Sequence, residues 1–398
     1  MRPAGAGRRP RVLRVITGLN VGGPARQALY LTAELPKLGF DTRLVWGPSG
    51  QDEGRMDPPS GLPNSYLPYL GPALSPLDDI RAERELTHIM RRWRPQIVHT
   101  HMAKAGALGR IAARQAGVPV TVHTFHGHVL QSYFSELKNK TFAAIERELA
   151  KRTDALVAVT PSVRDDLLAL GIGRPEQWHV VSVGVDMDPL LSSRPDGRAA
   201  RASLGIPLEG PIVGCVGRLV AIKDHAMFFE AARMVADRHP EATFVFAGDG
   251  ELREQLKSTA RRLLGDRVVF LGWVQDLPAL YAACDVIALT SKLEGTPVAL
   301  IEASAAGKPV VAARAGGIRE VVRDGNTGWL VAPGEAGGMA TNIAALLQDP
   351  AGAERMGAEG AIWVRDRFGQ ERLAAELTEL YGALLAGKGL GRPAERVE

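Results

Sequence analysis

Short apolar runs rich in β-branched residues alternate with stretches of helical periodicity along almost the whole chain. In the first half, residues 12–16, 42–46, 96–100, 118–123, 155–159 and 179–183 read as strands. Residues 24–38, 78–93 and 103–116 between them place apolar side chains at helical spacing. The strands are continuously apolar rather than alternating. That pattern, with a helix after each strand, predicts a parallel sheet covered on both faces. The alternation pauses over residues 191–210, where Ser, Pro and Arg prevail, and resumes with strands at 212–216, 243–247, 268–271, 286–289, 309–312 and 328–331. Helices are expected near 224–236, 251–264, 297–306 and 336–347, with a terminal helical stretch over 351–385. The organisation expected is an N-terminal α/β domain at 1–190, a linker at 191–210, a second α/β domain at 211–385 and a disordered tail at 386–398. Ligands of such doubly wound sheets bind beyond the carboxyl ends of the strands, so a cleft between two facing domains is the expected site.

Length and composition agree with this organisation. The 398 residues suffice for two domains, and 45% hydrophobic with 23% charged residues is an ordinary globular balance that excludes a disordered or collagen-like chain. The net charge of +4 is unevenly placed: residues 1–190 hold 24 Lys+Arg against 18 Asp+Glu, and the remainder 24 against 26. Nucleic acid is not implied. A basic first half is compatible with an anionic membrane surface, and equally with chance variation of solvated faces. The two cysteines, Cys215 and Cys284, sit in apolar runs and are expected to be buried thiols rather than a bridge. No Cys/His cluster has zinc spacing, and no metal site is expected. Arg14 interrupts the apolar run near the N-terminus, so no signal peptide is read there, and no segment is long enough to span a bilayer. The expectation is a soluble cytoplasmic protein with peripheral contact at the inner membrane face left open.

Four loops after predicted strands carry the chemistry. In the first, Glu294-Gly295-Thr296-Pro297-Val298 leads into a helix that contains Glu302. Thr296 is placed to cap the helix and Pro297 to occupy its first position. Free N–H groups there would bind an anion such as a phosphate. The two carboxylates could both reach one ligand and accept hydrogen bonds from a diol. Two surface acids on a solvated helix is the plainer alternative. In the second loop, Gly217 and Arg218 precede Lys223, and two cations in one strand-to-helix loop can converge on a diphosphate. The third is Gly22-Gly23-Pro24, where small residues would let a ligand approach a helix start, though it is not the dinucleotide fingerprint. The fourth, His123-Thr124-Phe125-His126-Gly127-His128, gathers three histidines at a strand end, with a catalytic or substrate-contacting imidazole favoured over a metal ligand and ordinary loop and core histidines as the plainer alternative. His99 and His101 end another strand and read as packing or supporting residues. Gly248-Asp249-Gly250 and Gly316-Gly317 read as tight turns.

These motifs, in this order over roughly residues 11–385, resemble those of the family-four retaining glycosyltransferases: the Gly22-Gly23 loop, Phe125-His126-Gly127, Val159-Thr160-Pro161-Ser162, Gly217-Arg218 with Lys223, Ala247-Gly248-Asp249-Gly250, the Glu294/Glu302 pair, and Ala315-Gly316-Gly317 with Glu320. The resemblance implies the GT-B architecture and a nucleotide diphosphate sugar as co-substrate, with UDP-linked donors the commonest and no separate cofactor or metal. It implies that Arg218 and Lys223 hold the donor diphosphate and that Glu302 holds its ribose. Glu294, with Gly295, Thr296, Pro297 and Val298 beside it, would hold the sugar. Trp273, Val274 and Gly248 would lie near the base and diphosphate, Gly22 and Gly23 would approach the diphosphate, and His126 would sit beside the sugar and acceptor. Attack on the leaving-group face would need no protein nucleophile. The chain departs from the family's Asn-Gly-Val-Asp segment, reading Val183-Gly184-Val185-Asp186. The segments at 99–110 and 123–134 are similar to bacterial capsule and exopolysaccharide transferases. This implies a glycan or polyprenyl-linked sugar as acceptor. A basic amphipathic stretch at 136–152 could rest on lipid or simply pack as a helix. A nucleotide-sugar 2-epimerase or hydrolase, and a non-catalytic sugar-nucleotide-binding scaffold, remain as alternatives.

Overall fold

The computed structural model describes residues 9–50, 54–127, 136–192 and 195–391. His128, which the sequence reading included among its histidines, lies outside them. The chain divides into two compact units, 1–184 with 370–398, and 185–369.

The first unit is built on a seven-stranded sheet of β1 (Arg11–Gly18), β2 (Asp41–Gly47), β3 (Asn64–Tyr66), β4 (Ile97–His101), β5 (Val120–Phe125), β6 (Ala155–Ala158) and β7 (Trp178–Val180). Their order is β3-β2-β1-β4-β5-β6-β7, and every pairing is parallel. The second unit has six parallel strands: β8 (Ile212–Val216), β9 (Thr243–Ala247), β10 (Val268–Gly272), β11 (Val286–Leu289), β12 (Val310–Ala313) and β13 (Gly328–Val331), in the order β10-β9-β8-β11-β12-β13. Helices follow the strands, as right-handed parallel crossovers require. In each sheet the strand order reverses beside the unit's first strand, between β1 and β4 and between β8 and β11. Loops diverge there and leave room for a ligand.

The twelve expected strands are present, and a thirteenth, β3, is added. It is a three-residue edge strand, Asn-Ser-Tyr, with no apolar run to announce it. The expected linker at 191–210 is not an open connection. Helices Asp188–Ser192 and Gly197–Leu204 occupy much of it. Asp196 caps the second through Ala199 N–H at 2.8 Å, and Arg201 ties that helix to Asp285 at 2.9 Å and to the carbonyl of Ala283 at 3.0 Å. The terminal helical stretch is two helices, Pro350–Phe368 and Gln370–Gly387, broken where Gly369 turns extended.

The break corrects the domain assignment. The helix Gln370–Gly387, expected in the second domain, belongs to the first unit, where Leu373, Leu377, Leu380, Tyr381 and Leu385 join Val12, Leu31, Ile97, Val120 and Val157 in one core cluster. Each such leucine is worth about 1.5–3 kcal/mol of burial. Arg372 adds hydrogen bonds to the carbonyls of Ser182 and Val183. Helix Gln370–Gly387 also runs into the region expected to be a disordered tail, and Leu390 packs against the same cluster.

Cys215 and Cys284 are buried free thiols, and burial pushes each up to about 12. Helix Glu136–Ala150 buries Ala143, Glu146 and Ala150, and Glu146 receives a bidentate pair of bonds from buried Arg110 at 2.7 and 2.8 Å. Among the described residues no helix is long and apolar enough to cross a membrane.

Candidate functional site

In the second unit the predicted residues collect along the carboxyl edge of one sheet. β8 leads to Gly217, Arg218 and Lys223, β11 to Glu294 and its neighbours, β9 to Gly248, β10 to Trp273 and Val274, and β12 to Gly316 and Gly317. The loops after β8 and β11 flank the reversal of strand order and are stitched together: Lys292 N–H donates to the carbonyl of Ile222 at 2.9 Å, and Thr290 Oγ1 to that of Lys223 at 2.9 Å. Across this seam Lys223 Nζ meets Glu294 Oε1 at 2.5 Å, and Ser291 Oγ donates to the same oxygen at 2.6 Å. The ammonium and the carboxylate are thus held together, where the sequence reading gave them separate partners. An ammonium carries three donors, so one bond to Glu294 leaves two for a ligand.

Two glycines make this edge possible. Gly316 has φ +50°, and a Cβ there would lie 2.2 Å from the carbonyl oxygen of Glu294, whose other contact is the N–H of Gly317 at 2.9 Å. Gly248 has φ +142°, and its Cβ would lie 2.0 Å from the carbonyl oxygen of Gly217. Backbone thus touches backbone at the base of the loops. The Gly248 N–H donates to Gly272, which places Trp273, 41% exposed, directly beside this turn.

The start of helix Val298–Ala305 differs from expectation. Pro297 takes the N-cap position rather than the first helical one, and Thr296 does not cap: its buried hydroxyl has no partner among the described residues. Pro297 fixes its own φ and offers no N–H. The N–H of Val298 closes back on the carbonyl of Thr296 and that of Leu300 on Pro297. Fewer donors therefore stand open than the sequence suggested. Glu302, four residues into the helix, is 4% exposed, which excludes the reading of two solvated surface acids. Its Oε2 accepts from the hydroxyl of buried Tyr281 at 2.9 Å, a partner that no sequence motif indicated. Arg218 lies in the β8 loop, where its carbonyl is bonded by His225 Nε2 at 3.1 Å; burial lowers His225 to about 4.

In the first unit Gly22 and Gly23 lie at the carboxyl end of β1, where helix Gly23–Glu34 begins one residue earlier than expected. His126 follows β5 directly. His123, by contrast, is a packed core residue: its Nδ1 meets Thr100 Oγ1 at 2.8 Å, and its ring fills the space beside Gly106. His126 belongs to a larger group. Its Nε2 lies 3.0 Å from His101 Nδ1, and His101 Nε2 lies 3.1 Å from Arg14 Nη1. Arg14 also reaches His99 Nδ1 at 3.3 Å, and His99 bonds Tyr381 Oη at 2.5 Å and Thr124 Oγ1 at 2.7 Å. Burial, with Arg14 or a neighbouring histidine adding to it, holds His99 and His101 well below the usual imidazole range and His126 at about 4, so all three are neutral. Among the described residues no group of His, Cys, Asp and Glu is arranged to hold a metal ion.

Two doubly wound parallel sheets in tandem, each with loops diverging at its reversal of strand order, are the make-up of a GT-B protein. The same class emerges from comparison with known proteins. The model of glycosyl transferases group 1 matches residues 196–363, and that of a glycosyl transferase 4-like domain matches 22–184. The chain is 30% identical over 315 residues to the UDP-Gal:alpha-D-GlcNAc-diphosphoundecaprenol alpha-1,3-galactosyltransferase of Escherichia coli, covering 78% of this chain and 81% of that protein. It is 30% identical over 302 residues to the 2-deoxystreptamine glucosyltransferase of Streptomyces kanamyceticus, covering 73% and 78%. Anabaena HepE, solved in complex with UDP and glucose, superposes with a TM-score of 0.80 at 24% identity over 94% of this chain and all of that one. The chain belongs to the family-four glycosyltransferases, whose group 1 domain is its second unit.

Proposed function

We propose that the chain transfers a hexosyl or N-acetylhexosaminyl residue from a UDP-linked donor to a polyprenyl-linked sugar or a growing glycan, with retention of anomeric configuration, in cell-surface polysaccharide assembly. The observation that carries this is the Lys223–Glu294 pair at the strand reversal of the second unit. A cation fixed by a carboxylate is suited to a diphosphate on one side and sugar hydroxyls on the other. Arg218 in the same loop supplies a second cation for the leaving diphosphate. That charge complement supports a reaction that needs no metal. The base is taken to be uridine because the galactosyltransferase relative uses UDP-galactose and HepE was solved with UDP. The acceptor follows the same relative, whose acceptor sugar is carried on diphosphoundecaprenol. The stretch 136–152, whose excess of positive charge comes from Lys151 and Arg152 after the helix Glu136–Ala150, is compatible with work beside a lipid surface, although Glu146 of that helix is committed to Arg110.

The test is thermal-shift binding against UDP, GDP, ADP and dTDP sugars with EDTA present, followed by transfer to a lipid-linked N-acetylglucosamine acceptor. A ligand of the native state raises the melting temperature by mass action. A shift confined to UDP sugars, followed by α-linked product, is the result expected. No shift with any nucleotide sinks the proposal. Donor conversion without acceptor would point instead to an epimerase or hydrolase, and binding without turnover to a scaffold.

A further inference from the structure

Arg14 is 1% exposed on β1, an interior strand of the first sheet, and among the described residues no carboxylate pairs with it. Its register partner across β1 and β4 is His99, and His101 lies two residues on, so both imidazoles share its face of the sheet. A guanidinium can only donate hydrogen bonds. The nitrogens it meets, His101 Nε2 and His99 Nδ1, must therefore be lone-pair acceptors. Each of these buried imidazoles is neutral and carries one proton. In His101 that proton is left on Nδ1, which then donates to His126 Nε2 at 3.0 Å. In His99 it is on Nε2, which donates to Thr124 Oγ1 at 2.7 Å. His126, accepting at Nε2, must hold its proton on Nδ1. That nitrogen is buried and has no partner among the described residues.

We propose that Arg14, acting through His101, fixes His126 in its Nδ1–H tautomer, so that this imidazole offers a ligand a hydrogen-bond donor and not a base. Arg14 and His101 are positioning residues. His126 contributes no base, because one nitrogen accepts from His101 and the other already holds its proton. An unsatisfied buried donor is costly, and a bound oxygen relieves that cost. That a substrate oxygen meets this N–H rests on the transferase reading above, whereas the tautomer stands on the first unit alone.

The experiment is two-dimensional NMR of the whole chain with 15N-labelled histidine, assigned by comparison with His126→Gln. The Nδ1–H and Nε2–H tautomers give distinct cross-peak patterns. Wild-type protein is expected to show His126 as Nδ1–H, and an Nε2–H pattern overturns the proposal. Arg14→Met is expected to release the preference into a mixture of tautomers, while an unchanged pattern removes Arg14 from the chain of cause. His101→Leu and His101→Asn cover the case in which Arg14→Met does not fold. Leucine should lose the preference. Asparagine, whose amide can occupy the place of the Nδ1–H, should keep it, and equal behaviour of the two counts against the proposal. Turnover is expected to fall about tenfold in His101→Leu, the worth of one hydrogen bond, and to recover in His101→Asn.

Discussion

Lys223 and Glu294 neutralise one another in a partly buried seam, and removing either strands the other. Glu294→Ala is expected to lower transfer by about a hundredfold or more, as loss of a positioned charge in an active site does, while the melting temperature stays within a few degrees. Transfer at the wild-type rate would remove Glu294 from the site. Gly316→Ala is a sharper probe, because its new methyl would meet the carbonyl oxygen of Glu294 at 2.2 Å on a backbone with positive φ. Activity should fall with little change in donor chemistry, and unchanged kinetics would show that the loop tolerates a shift. The buried imidazoles make stability depend on pH. His126 and His225 are held at about 4 against 6.5 unfolded, so the unfolded chain binds more protons between those values. Stability therefore rises with pH through that window and is lost as pH falls from 6.5 toward 4, by about a few kcal/mol. Urea titrations at pH 7 and pH 5 read this directly, and equal midpoints would contradict it. At this scale the sequence marked Lys223 and Glu294 as charged residues in loops after strands, but not their pairing with each other. It was silent on Tyr281 and Tyr381, because a buried hydroxyl's partner comes from a distant element. Arg14 had a visible signal, a cation inside an apolar strand paired with histidines spaced by two on another, but its reading needed the register of β1 against β4.

Among the elements, the strands were legible and the ends of helices less so. Short apolar runs set between helical stretches leave little choice but a buried parallel strand, and all twelve such runs formed one. β3 escaped because an edge strand held only by β2 needs no apolar pattern. Thr296 and Pro297 were misplaced because a Thr-Pro pair before a helix fits either of two registers, and only the backbone decides between them. The terminal helices were merged because Gly369 breaks them by an extended conformation that many residues could adopt. Helix Gln370–Gly387 offers the clearest test of an element's contribution. Leu377→Ala removes a 1% exposed side chain from the first unit's core and should cost about 2–5 kcal/mol, read from denaturant midpoints. A loss below 1 kcal/mol would mean that the helix is dispensable to that core.

For the whole molecule, the α/β alternation specified two doubly wound units, while the allocation of the last helix was beyond reach. Its apolar face is generic, and a partner must be chosen among surfaces that periodicity does not distinguish. The allocation has a direct experimental consequence. Residues 185–369 form one uninterrupted segment with a complete six-stranded sheet, and are expected to fold alone and to keep UDP-sugar binding. Residues 1–184 expressed alone should be unstable, and should recover when a peptide of residues 370–391 is supplied. A well-folded 1–184 fragment would refute this. The same arrangement orders events at the ribosome. A strand near the N-terminus waits on a helix near the C-terminus, so the first unit to emerge is the last to be finished. Through most of synthesis the face built from Val12, Ile97 and Val120 stands uncovered in the nascent chain. Stalling translation before residue 370 should therefore yield chains bound by a chaperone through their beginning, and release should follow the final eighteen-residue helix out of the exit tunnel.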